Sequence, residues 1–147
     1  MSTRFQTVIL FGPPGVGKGT QGAILANIPG FHHMSTGDMF RKLDLNSDLG
    51  QEIKRYMHAG DLVPDELTVE LWRENAKART VLGLYKPADD ILVLDGLPRS
   101  VKQAQMIEDE INPLAVVHLV CKDQAAMVDR LKKRAIKEKR TDDAKEE

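Results

Sequence analysis

Gly12-Pro13-Pro14-Gly15-Val16-Gly17-Lys18-Gly19-Thr20 is the stretch whose residue types and spacing could do chemistry. Successive backbone N–H groups can turn toward one point only where no Cβ intrudes, and the resulting nest attracts anions. Lys18 adds a mobile ammonium of the kind that reaches terminal phosphates. The general phosphate-loop pattern has Ser or Thr directly after its lysine, whereas here Gly19 intervenes and the hydroxyl comes at Thr20. A second constellation is Ser35-Thr36-Gly37-Asp38 with Arg41, and a third is Asp95-Gly96-Leu97-Pro98-Arg99 with Ser100 and Gln103. Asp95 closes an apolar run and could orient magnesium-bound water. Arg99 could hold a phosphate bidentately, and Arg41 either does the same or faces solvent. Ser35 with Asp38, and Ser100 with Gln103, also fit helix-start capping patterns. Arg130 and Arg134 stack one turn apart on a helical face, an arrangement that favours something anionic beside them.

These residues need elements to position them. The run Val8–Phe11 reads as a strand starting at about residue 7, and the helix after the loop is legible over Ala23–Ala26. Phe31–Met34 suits a second strand, which would send His32 and His33 to opposite faces, one buried and one exposed, and makes a metal pair improbable. Leu49, Ile53 and Met57 mark one helix. A second runs from about Asp65, a plausible N-cap, to about Arg79, with Leu67 and Leu71 on one face and Trp72 in packing. Ile91–Asp95 lacks alternation, as expected of a parallel strand covered on both faces. Leu114–Val120 reads as a fourth buried strand, and Asp123 onward as a helix with Met127, Val128, Leu131 and Ala135 apolar. In such open α/β sheets ligands collect at the carboxyl ends of the strands, where Asp95 would face the phosphate loop.

The chain has 147 residues, enough for one domain with its own core, and its hydrophobic fraction of 41% is ordinary for a globular protein. A net charge of −1 argues against a wholesale nucleic-acid or anionic-membrane binder, and the basic stretch at 132–140 lacks interleaved aromatics. No signal peptide or membrane span is evident, so the expected location is cytoplasmic. The single cysteine, Cys121, lies in an apolar run and is expected to be a buried structural thiol.

Taken together, GPPGVGKGTQ, STGDMFR, GDLVPDE, DGLPRS with Gln103, Asp129-Arg130 with Arg134, and RTDD at 140–143 resemble the adenylate kinases, of the nucleoside monophosphate kinase family. The resemblance implies an α/β fold, a P-loop doubly wound parallel sheet. Residues 1–34 and 65–129 would form the core, about 35–64 a helical AMP-binding arm, and about 130–143 a short lid. It implies that Gly15, Val16, Gly17, Lys18, Gly19, Thr20 and Arg130 bind ATP, and that Thr36, Arg41, Leu62, Val63, Gly96, Arg99 and Gln103 bind AMP. Lys18, Arg99, Arg134 and Arg140 would be catalytic. Asp38 and Asp95 would hold Mg2+ through water.

Only five residues separate Arg134 from Arg140, so the lid would be of the short type without zinc. The implied reaction is transfer of a phosphoryl group from ATP to AMP, giving two ADP. Leu97 stands where the family more often has an aromatic residue. The family's fifth strand and last helices are not in the sequence, which would leave the fourth strand an open edge and two alternatives: a nucleotide-binding core impaired in catalysis, or association through that edge where the full-length enzyme is a monomer. A UMP/CMP kinase is a further alternative, though Thr36 favours AMP.

Overall fold

The computed structural model describes residues 3–138. Its elements run β1 (Phe5–Phe11), α1 (Lys18–Leu25), β2 (Phe31–Ser35), α2 (Thr36–Arg41), α3 (Asp48–Ala59), α4 (Asp65–Val81), β3 (Ile91–Asp95), α5 (Val101–Ile107), β4 (Ile111–His118) and α6 (Gln124–Glu138). The four strands form one parallel sheet in the order β2-β3-β1-β4. The chain starts in the sheet interior, winds out to β2, returns through β3 and crosses β1 to reach β4. That reversal creates a crevice at the carboxyl ends of the inner strands.

Register brings the candidate residues together. Leu10 of β1 is opposite Asp95 of β3, and Asp95 is opposite Ser35 of β2. The phosphate loop, the Asp95 turn and the start of α2 therefore leave the sheet at one level.

Beneath them lies an apolar core in which Met34, Ile53, Val69, Trp72, Leu92, Leu94 and Ile107 are fully buried. Leu97, at the position where an aromatic is more usual, is part of the same core at 1% exposure. Trp72 packs edge-on to Phe5 with ring centroids 5.7 Å apart, which confirms packing as its role. Truncating such a buried aromatic costs about 3–5 kcal/mol. Arg73 of α4 donates to Glu110 at 2.6 and 2.8 Å and to the carbonyl of Met106, tying α4 to the approach to β4.

Several expectations need correction. β1 begins at Phe5, because Phe5 N–H is drawn in by the carbonyl of Glu110 and its ring joins the core. α1 begins at Lys18, continuing the phosphate loop without a gap. β4 spans Ile111–His118 and is not buried: Ile111 enters the core, whereas every residue from Asn112 to His118 is exposed, Leu114 and Val116 by more than half. It is the last strand in the order, and among the described residues no strand pairs with its outer side and little packs on its side chains. His32 and His33 are both half-buried, each beside a carboxylate, Asp90 at 3.1 Å and Asp95 at 2.9 Å. Cys121 is half-buried in the turn between β4 and α6, not enclosed. Pro64, not Asp65, occupies the N-cap of α4.

Candidate active site

The loop between β1 and α1 wraps the carboxyl end of the sheet. Its lysine, first residue of α1, donates from Nζ to the carbonyls of Gly12 at 2.7 Å and Pro13 at 3.3 Å. Lys18 lines a cleft of about 690 Å³ together with Gly12, Pro13, Gly96, Arg99 and, from β4, His118. Desolvation lowers the pKa of Lys18 from its ordinary 10.5; the charge of Asp95 opposes this and the charges of Arg99 and Arg134 reinforce it. One carboxylate and three cations predicted from the sequence thus share a local field. A charge held in such a partly dried site interacts with a phosphate more strongly than it would in water.

Gly96 is the pivot between the loop and the second group of residues. It turns the chain at φ +88°, and a Cβ there would come within 2.4 Å of Thr36 Oγ1 and 3.0 Å of Arg99 Nη2. Thr36 and the Arg99 guanidinium therefore converge over a bare backbone, with Thr36 Oγ1 also donating to the carbonyl of Asp95 at 3.4 Å. Ser35 Oγ accepts from Asp38 N–H at 3.3 Å and Ser100 Oγ from Gln103 N–H at 3.1 Å, so both N-caps form, while the Asp38 and Gln103 side chains turn to Arg41 and to Arg99 and Asp65 instead of closing a capping box. Gln103 Oε1 accepts from Arg99 N–H at 2.7 Å, fixing the turn that presents Arg99.

Not every predicted residue joins this cluster. Arg41 and Asp38 form an ion pair with each other on α2, the guanidinium folded over Gly37. Burial raises the carboxyl pKa of Asp38, yet the hydrogen bond and charge of Arg41, with lesser help from Lys42 and His33, bring it below the usual value overall. Leu62 is 93% exposed in the loop before α4, with Val63 half-buried beside it. Gly15 lies against α6, where a Cβ would come within 2.9 Å of Leu131 Cγ and 3.0 Å of the carbonyl of Met127. Val16, Gly17, Gly19 and Thr20 complete the loop and the first turn of α1. Arg130 is exposed on α6, Arg134 half-buried one turn on. Residues 130–138 of the expected lid continue that helix, and Arg140 lies outside the described residues.

Sequence reading missed three participants. His33 reaches Asp95 from the neighbouring strand and rests on α1, where a Cβ at Gly22 would fall 2.3 Å from its Nε2. Asp65 bonds Gln103 Nε2 at 2.8 Å and Ser100 Oγ at 3.2 Å. His118 lines the cleft; a polar residue inside an apolar strand run was its signal.

Of the two carboxylates expected to serve magnesium, Asp95 stands at the tip of β3, with the chemistry to orient water on an ion that arrives on a nucleotide phosphate, and Asp38 is ion-paired with Arg41. Among the described residues no three His, Cys, Asp or Glu side chains converge as a metal cage, and no helix is long and apolar enough to cross a membrane.

Comparison with known proteins agrees with this geometry. A family model described as Adenylate kinase matches residues 10–147. The chain is 40% identical over 144 residues to an adenylate kinase of Cyanothece sp., covering 95% of this chain and 70% of that protein. It is 47% identical over 103 residues to an adenylate kinase of Mycobacterium sp. (69% of this chain, 53% of that one), and 36% identical over 118 residues to one of Borrelia garinii (80% and 53%). The chain thus spans about half the length of most of the relatives it matches. With a family match over residues 10–147 and a four-stranded parallel sheet of this kind, the chain belongs to the adenylate kinase family.

Proposed function

We propose that this chain provides the phosphate loop and acceptor site of an ATP:AMP phosphotransferase, which moves a phosphoryl group reversibly from ATP to AMP to give two ADP. The observation that carries this reading is that Lys18 and Arg99 line one cleft with the Gly12–Pro14 loop and Gly96, with the charges of Asp95 and Arg134 acting on Lys18. Phosphoryl transfer spreads negative charge over the equatorial oxygens and asks the protein mainly for position and opposing charge. Magnesium, when bound with the nucleotide, neutralises part of that charge. Lys18 exchanges its bonds to Gly12 and Pro13 for phosphate oxygens, and the loop N–H groups cradle the donor. Thr36 and Arg99, held over Gly96, receive the acceptor, with Leu62 and Val63 beside its base. Arg41 serves the acceptor phosphate after parting from Asp38, and Gln103 meets the base edge. Arg130 lies against the donor base, and Arg134, with Arg140, closes on the transferring group and excludes water. Asp95 and Asp38 would hold the water of a magnesium ion brought in on the nucleotide.

The test is ADP formation, followed by chromatography, from ATP, magnesium and AMP, with Lys18→Met as the blank and UMP or CMP as alternative acceptors. AMP-dependent ADP from the chain supports the reading. Nucleotide binding without turnover replaces it with a binding core that lacks part of the catalytic set, in line with the chain's share of its relatives' length.

A further inference from the structure

Asp65 stands in the first turn of α4, directly after the loop that carries Leu62 and Val63. Its Oδ1 accepts from Gln103 Nε2 at 2.8 Å and its Oδ2 from Ser100 Oγ at 3.2 Å. At the other end of the same amide, Gln103 Oε1 accepts from the main-chain N–H of Arg99 at 2.7 Å. A carboxylate can only accept and a main-chain N–H can only donate. Each partner therefore identifies one end of the amide, and turning it over would face NH2 to N–H and oxygen to carboxylate. Gln103 is 5% exposed, so water is poorly placed to relieve either conflict. What the amide keeps is one N–H and one lone pair, in fixed places.

A base with an exocyclic amino group beside a ring nitrogen acceptor, as in adenine, shows the reverse pattern to a base with a keto group beside a ring N–H, as in hypoxanthine. One orientation of a glutamine amide suits the first edge and the flipped orientation suits the second. We propose that Asp65 is a specificity-determining residue: together with the Arg99 main-chain N–H it locks the amide of Gln103 and so favours a 6-amino purine acceptor over a 6-keto one. The assignment rests on the reading above that Gln103 meets the acceptor base. It gives a function to a carboxylate that α4 does not use as its cap, and it links the loop at 60–64 to the turn bearing Arg99.

The experiment compares AMP with inosine monophosphate, which differ at this edge alone. Affinities are measured by calorimetry for the unmodified chain and Asp65→Asn, and kcat/KM for both acceptors wherever turnover is measurable. An asparagine donates as well as accepts, so the flipped amide loses its conflict at residue 65 and keeps only the one with the Arg99 N–H. The AMP-to-inosine monophosphate preference is expected to fall about tenfold, the worth of one hydrogen bond. Affinity for ATP stays constant, whereas general loosening of the fold would weaken all three ligands together. Asp65→Ser, whose hydroxyl also donates and accepts, provides the same comparison should the first variant not fold. An unchanged preference in a folded variant overturns the role of Asp65 alone. Failure of the unmodified chain to bind AMP overturns the acceptor-site reading and the proposal with it.

Discussion

His33 on β2 places Nε2 2.9 Å from Oδ2 of Asp95 at the tip of β3, so one carboxylate oxygen is held from behind while Asp95 acts electrostatically on Lys18 in front. Groups that orient a metal-directed carboxylate typically change metal affinity about 10–100-fold when lost. For His33→Leu the expected outcome is a loss at the low end of that range in the magnesium dependence of ATP binding. Binding of ATP in the presence of a chelator should be unchanged. Calorimetry under both conditions checks this, and His33→Gln, which can present an N–H at similar reach, should restore most of the effect.

Lys18→Met should fold and lose at least about a hundredfold in transfer rate, the cost of removing one transition-state donor. It carries a second, independent signature. Because desolvation lowers the pKa of Lys18 in the folded chain, the unfolded chain binds more protons between that lowered value and 10.5. Raising the pH through this window therefore favours the folded form. Urea titrations at stepped pH should show the unmodified chain gaining stability relative to Lys18→Met as the solution becomes more alkaline.

Tyr85 is buried at 1% exposure with its hydroxyl unpartnered within the protein, and burial pushes its pKa up to about 12. Tyr85→Phe removes the buried hydroxyl and keeps the ring contacts with Phe5 and His32. A gain of about 1 kcal/mol at neutral pH is expected, the low end of the cost of an unsatisfied buried polar group. The folded tyrosine keeps its proton between pH 10 and 12 while the unfolded one loses it, so the unmodified chain loses stability with rising pH across that window and the variant is spared the loss. Thermal melts at pH 7 and at pH 11 measure both effects.

Among the described residues nothing pairs with the outer edge of β4, which is flanked by exposed Leu114 and Val116. Edges of this kind pair with other chains unless charge interrupts them. Sedimentation of the chain should show mass increasing with concentration, and Val116→Lys should suppress the increase without lowering the melting temperature by more than a few degrees.

What the sequence disclosed and what it withheld follow from the range of the interactions involved. The phosphate loop, the run Ile91–Asp95 and the caps at Ser35 and Ser100 depend on neighbours within a few positions, and all four formed as read. β4 was misjudged because its apolar run carries no information about what covers it; its exposure follows from the strand order. Strand alternation reads His33 only as one of two residues on opposite faces, since its carboxylate partner lies 62 positions away on an adjacent strand. Asp65 looked like a cap because that use is local, whereas the partner it takes is 38 positions distant. Site chemistry was thus readable in residue type, and the supporting contacts only in three dimensions.

Gly15 leaves no side chain between the phosphate loop and α6; Leu131 and the main chain of Met127 occupy the space a Cβ would need. Loop and helix consequently share one van der Waals surface and behave as meshed parts. The same helix carries Arg134 one turn beyond Leu131, so the loop and the arginine are built on one packed contact. Any side chain introduced at residue 15 would therefore have to push the loop and α6 apart, shifting the nest relative to the helix that bears Arg134.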